Sequence, residues 1–354
     1  MNTFIKQLLI FSFIISCFTG IYGQAGSVNT YKFLRLSPSA RVSGLGSINV
    51  STYDSDISLA NMNPALLNAE ATNNLSISHK FIFGGISSEN LDYGFRIGKV
   101  KLPFHVGIQY LNYGEVDLAD VYGDISGKVS GSDFAFLLGT SYSLYENLHI
   151  GLSTRIIYSN LGGYNSIGLT TDLGALYHLK SKNLDVGFVL RNIGGTLASY
   201  SDTKEFAPFN VMLGISKKLE HLPFRFSVTA TDLNRWNLLY DNPNGENNIL
   251  FGEETQKKSK ISIFSDNLFR HFIFSGEFLL GKNGGPLRLR MAYNHRKSRE
   301  MSIEPFRSFA GFSFGFGLKM RRFTIDYAYG IERLAGGKAH LTLSANLNEF
   351  RKKI

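Results

Sequence analysis

The chain has 354 residues, 44% of them hydrophobic, and a mean hydropathy of −0.04; beyond the first two dozen residues no apolar run nears the roughly 18 that a membrane-spanning helix needs. Its formal charge of +9 sits in short clusters at 257–260, 295–299 and 351–353, which read as solvated loop charge or as a contact for anionic lipopolysaccharide or an acidic partner, with nucleic acid not expected. A single cysteine and eight scattered histidines exclude a disulfide framework and any familiar metal-ligand spacing.

Residues 1–23 read as a signal peptide: Lys6 precedes an apolar stretch over 8–15, and small residues follow. Cleavage after Gly23 leaves Gln24 first. Cys17, behind Ile14-Ile15-Ser16, stands in a loose lipobox, so acylation at Cys17 is the alternative start. Residues 24–73 form a segment of their own ahead of the strands.

From residue 74 the sequence alternates. Phe323, Ile325, Tyr327 and Tyr329 fall on one side of a strand, with Arg322, Thr324, Asp326 and Ala328 on the other. A period of two means β-strand, because successive side chains point to opposite faces. Fourteen strands are expected, at 74–81, 91–99, 104–112, 132–144, 149–160, 164–178, 183–192, 209–217, 224–234, 268–280, 287–294, 309–318, 322–329 and 339–347. A basic tail follows at 349–354. Six short connections (100–103, 145–148, 179–182, 218–223, 281–286, 319–321) alternate with longer ones (82–90, 113–131, 193–208, 235–267, 295–308, 330–338). Only 161–163 breaks this parity, which matches short periplasmic turns and long extracellular loops. Many of the strands reach nine or more residues, enough to cross a bilayer at a tilt, whereas sandwich strands run to about five or six. The fold class expected is all-β: a transmembrane antiparallel β-barrel over 74–348, with the N-terminal segment as a plug.

With the apolar side outward, the lumen receives Arg96, Arg155, Arg191, Arg225, Arg288 and Arg290, and also Asp172, Glu277 and Asp326. These read as charge pairs that fix the contents of a filled interior, or as the lining of a transport path. Gly311, Ser313, Gly315 and Gly317 make a side-chain-poor strip of wall that allows another backbone to approach closely. The N-terminal segment is expected to pack there, against Gly315 and Gly317. No nucleophile elbow, P-loop or dinucleotide fingerprint is present. Asp54-Ser55-Asp56 reads as a turn before it reads as a calcium site. No enzyme and no cofactor are expected.

The ordered set Ala40-Arg41, Gly44-Leu45-Gly46, Asp54 and Asn63-Pro64-Ala65-Leu66-Leu67 resembles the start of the FadL-like fatty-acid transporter barrels, where this stretch forms an internal hatch. A closer resemblance spans nearly the whole chain. Tyr31-Lys32-Phe33-Leu34-Arg35-Leu36, the run from Gly107 to Gly114, Tyr164-Asn165-Ser166, Pro223-Phe224-Arg225-Phe226-Ser227, Arg270-His271 and Leu334-Ala335-Gly336 are similar to the PorQ family of the Bacteroidetes type IX secretion system. That resemblance implies a non-enzymatic outer-membrane barrel in an attachment complex with PorU and PorV. Such a barrel holds a PorZ-like surface protein while cargo is joined to lipopolysaccharide.

The function expected is therefore a membrane platform, with a FadL-like channel for hydrophobic small molecules as the alternative. The working surface is sought in the loops 113–131, 193–208 and 235–267. Within the last of these, Trp236, Leu238, Leu239, Tyr240, Ile249, Leu250 and Phe251 are apolar enough for a protein contact, or for local packing of the loop on itself.

Overall fold

Alternating segments with a greasy face and a polar face can satisfy every backbone group in lipid only by closing into a ring, and these do. The computed structural model describes residues 29–351 apart from 99, 101, 121, 123, 202, 240–258, 282–284, 302–308 and 334–335. The expected leader 1–23, with Cys17, and also Gln24 and residues 352–354 of the expected basic tail lie outside the described residues.

The strands are β1 (Asn74–Phe81), β2 (Ser87–Arg96), β3 (Pro103–Ala119), β4 (Ile125–Tyr145), β5 (Leu148–Leu161), β6 (Tyr164–Leu179) and β7 (Leu184–Ala198). They continue with β8 (Asn210–Lys218), β9 (Phe224–Ala230), β10 (Phe272–Leu280), β11 (Leu287–Asn294), β12 (Phe312–Lys319), β13 (Phe323–Arg333) and β14 (Gly336–Asn346). Each pairs antiparallel with its sequence neighbours, and β1 pairs with β14 from Asn74↔Asn346 to Phe81↔Ala339, closing the barrel. The side-chain alternation holds around the ring. On β14, Leu341 and Leu343 face outward while His340 and Thr342 are buried inside.

The wall is uneven. β3 to β7 have 14 to 21 residues, whereas β8 to β12 have seven to nine. The expected loop 113–131 is mostly a β-hairpin: β3 and β4 stay paired from Glu115↔Ser130 to Ala119↔Ile125, beyond the last partners of β2 at Asn112 and of β5 at Gly131. The connection at 161–163 is a two-residue turn, Gly162-Gly163, with φ of +63° and +93°. A primed hairpin turn needs that geometry at both positions, which explains a short link on the long-loop side.

Three expectations need correction. Residues 260–269, expected to be partly strand, form a helix, because Ile261, Phe264 and Leu268 recur at helical spacing and Asp266 bridges Arg270 at 2.9 Å one turn on. The connection after β13 is shorter than 330–338, since β13 and β14 continue pairing to Arg333↔Gly336. Residues 295–300 form a short helix capped by the Asn294 side chain. We label the helices α1 (Ala40–Gly44), α2 (Lys260–Phe269), α3 (His295–Glu300) and α4 (Asn348–Arg351).

Residues 29–73 run inside the barrel as single helical turns joined by extended links. Two apolar clusters bind this plug to the wall. Val42, Val50, Leu59, Met62, Ala65 and Leu66 pack on Leu176, Val189 and Met212, and Tyr31, Phe33 and Leu34 pack on Leu111, Ala135 and Ile157. The inner face therefore offers aliphatic patches as well as charges. By the turn-length rule, the end carrying the β12–β13 turn is periplasmic, and α2 and α3 stand at the extracellular end.

Candidate functional site

Among the described residues, three clusters pair arginines with carboxylates between plug and wall. In the first, the buried Arg41 of α1 reaches Asp54 at 2.7 Å, Asp56 at 3.1 Å and the wall residue Glu277 at 3.1 Å. Arg225 bridges the same Asp54 and Glu277 at 3.0 and 3.2 Å. Arg290 donates to Glu277 at 2.8 Å and to Asp326 at 2.5 Å. Arg288 stands close enough to Asp54 and Glu277 for attraction, though its buried Nε has no hydrogen-bond partner. Four guanidiniums thus face four carboxylates, drawn from the plug and from four strands.

In the second cluster, Arg155 on β5 pairs with Asp172 on β6 and donates to the Asn61 carbonyl of the plug at 3.0 Å. Asp172 also accepts the Asn192 N–H at 2.7 Å, and Arg191 approaches it at 3.9 Å. The third lies at the extracellular end, where Asp232 takes Arg35 of the plug at 3.1 Å, Arg296 of α3 at 2.9 Å and Arg235 at 3.5 Å. Burial alone raises the Asp232 carboxyl, but Arg35, Arg296 and Arg235 together outweigh it and hold the group below the usual carboxylate range.

Arg155, Arg225, Arg288, Arg290, Asp172 and Glu277, singled out from alternation, all lie in this interior. Arg96 does not: it is exposed at the end of β2. At Gly315, an added Cβ would stand 3.3 Å from the Cα of Gly44, so plug and wall touch there through two glycines. Gly317 differs: its missing side chain leaves room for the Arg290–Asp326 pair, with Asp326 Oδ1 only 2.2 Å from where a Cβ would sit. Sequence reasoning named Arg35, Arg41, Asp54 and Asp56 only within resemblance motifs or as a turn, and did not place them in the charge clusters. The one local signal was Arg41 standing alone in the small and apolar run 40–46.

At the crown, Trp236 is exposed and Leu239 half-buried, but Leu238 is buried, and this corrects its reading as a partner residue. Asn267 of α2 accepts the Leu238 N–H at 2.9 Å and donates to the Trp236 carbonyl at 2.8 Å, folding the strand-end loop onto the helix. Tyr240, Ile249, Leu250 and Phe251 lie outside the described residues. The paired extension of β3 and β4 leaves Val116, Leu118, Tyr122 and Ile125 exposed, among the acidic Glu115, Asp117, Asp120 and Asp124.

Between plug and wall at the periplasmic end is a cleft of about 80 Å³ lined by Asp54, Asp56, Arg288, Arg322 and Asp326 among others. It is small and charged, against roughly 300–1,000 Å³ and a mostly apolar lining for a small-molecule site.

No family model matches the chain, and no curated protein matches its sequence. Solved structures match its fold. The toluene transporter TodX of Pseudomonas putida is 12% identical, with a TM-score of 0.52 over 88% of this chain and 96% of that one. CymD, a monoaromatic hydrocarbon channel, is 13% identical, with a TM-score of 0.50 over 88% and 96%. A Pseudomonas aeruginosa FadL homologue is 10% identical, with a TM-score of 0.46 over 87% and 97%. At such identities the likeness is one of fold: the chain shares with TodX and CymD a closed antiparallel 14-stranded β-barrel with its N-terminal segment inside.

Proposed function

We propose that this protein is a non-enzymatic outer-membrane platform, a rigid barrel that holds a partner at the cell surface. The observation that carries this reading is the clamped interior. The plug is tied to the wall by buried ion clusters at both ends and in the middle, with aliphatic packing between them. Releasing such a plug means separating buried charges, which costs several kcal/mol for each partner left behind. The docking element we assign is the β3–β4 arm, whose two edges stand free of β2 and β5 and whose surface is acidic and apolar. An exposed paired arm is a template for strand addition by another chain. The sequence resemblance supplies the partner's class, a PorZ-like surface protein in a type IX attachment complex with PorU and PorV, working on lipopolysaccharide-linked cargo.

A second reading has its own support. Two of the solved neighbours are named for hydrocarbon transport or channel activity, and the comparisons favour a channel for hydrophobic small molecules over the platform. Under that reading the plug must move. Affinity capture of the intact complex in mild detergent tests the platform: a stoichiometric surface protein is expected, and its absence beside uptake of toluene by the purified protein in liposomes overturns the reading.

A further inference from the structure

The short side of the wall is low for a membrane. Strands of seven to nine residues, at about 3.3 Å per residue and a tilt near 40°, rise roughly 18–23 Å, under the apolar band of about 25 Å usual for such barrels. Above this side the chain adds α2 and the loop that carries Trp236. The addition continues the outward aromatic row. Tyr293 packs on Phe312 at 4.9 Å between ring centres and on His295 at 6.0 Å, and His295 in turn meets Phe269 of α2 at 6.0 Å. Past Phe269 come Ile261, Phe264 and Trp236, which are 79%, 55% and 56% exposed, with the last two rings 5.7 Å apart.

A patch like this is costly in water, and it joins a surface that already faces lipid. Its polar edge is basic: Lys260 opens the helix, and Asp266 holds Arg270 and Arg299 beside it at 2.9 and 3.0 Å. Apolar and aromatic residues next to basic ones are the pattern of a helix lying in the headgroup region of an anionic membrane.

We infer that α2 and Trp236 form an interfacial anchor: they lie in the outer-leaflet headgroup and acyl boundary and complete the apolar band over β9 to β11. Trp236 thereby meets lipid, not a protein partner. The inference holds for a platform and for a channel alike.

The test needs no label, because Trp236 is the only tryptophan of the chain. The full-length protein is placed in nanodiscs of phosphatidylglycerol and phosphatidylcholine, the latter brominated near the carbonyl end of its acyl chains, and excited at a wavelength selective for indole. The expected result is a blue-shifted emission quenched about twofold by the brominated lipid and shielded from iodide, as for an interfacial indole. In a second sample, Ile261→Lys with Phe264→Lys lowers the lipid quenching, while the heat-modified gel shift reports an intact barrel. Free quenching by iodide with no response to brominated lipid overturns the inference and returns the patch to a protein contact.

Discussion

Removing one member of a buried charge cluster leaves its partners in a dry site, and the consequence depends on how many are left. Asp172→Asn strands Arg155 and Arg191 together, so we expect a loss of about 3–5 kcal/mol, read as a lower urea midpoint in detergent. Removing Lys128 from its exposed pair with Glu115 should leave that midpoint unchanged. The glycines separate in the same way. Gly315→Val presses on Gly44 and should cost about 1–3 kcal/mol by overpacking, whereas Gly317→Ala strikes the carboxylate of Asp326 and should disturb the Arg290 pair instead. Asp232 gives a pH dependence of known sign. Its folded pKa lies below the unfolded value, so its stabilising effect is complete above the unfolded value of about 3.9 and fades as pH falls through the folded one. Protection factors of plug amides near Arg35, which take out the intrinsic pH dependence of exchange, should therefore fall below about pH 4 in the native chain, and Asp232→Asn should flatten that response. Alternation placed Asp172, Glu277 and the wall arginines other than Arg96 in the interior from sequence alone. It gave no sign that Glu277 meets Arg41, 236 positions away, because a plug without regular period carries no register to read.

At the level of elements, strand existence was legible and strand ends were not. β1 and β11 match their expected bounds residue for residue, since both alternate cleanly between a lipid face and a packed face. The outer halves of β3 and β4 were read as loop because both of their faces meet solvent. Alternation survives only over the short run Glu115-Val116-Asp117-Leu118, too short beside Asp120 to Gly131 to mark a strand. Most of α2 lies in the expected loop 235–267, and only its last two residues, Leu268 and Phe269, fall in the expected strand, because they run into Phe272-Ile273-Phe274 with only Arg270 and His271 between. The arm has a consequence that can be measured. Replacing residues 115–129 with an Asn-Gly turn removes a hairpin that β2 and β5 do not pair with, so the barrel should keep its heat resistance. The captured surface partner should be lost. Retention of that partner at wild-type level assigns docking to another part of the crown and leaves the barrel's role as a platform standing.

For the whole molecule, the two functional readings differ on one point: whether the plug stays put. Ser51 of the plug and Ser216 of β8 stand with their hydroxyl oxygens 2.7 Å apart, near enough for a pair of cysteines to bridge. The sequence holds only Cys17, so Ser51→Cys with Ser216→Cys offers a single defined cross-link in a Cys17→Ser background. If the barrel is a platform, the oxidised and reduced forms should carry the surface partner equally and be equally inert toward toluene in liposomes. A channel predicts the opposite pattern, in which uptake stops on oxidation and returns with reductant, because Ser51 lies between the Arg41 cluster and the Asn61 contact and fixing it pins both. The packed interior leads us to expect the first outcome. A redox-switched uptake would instead mean that the buried ion pairs serve as a latch, broken and remade in each passage.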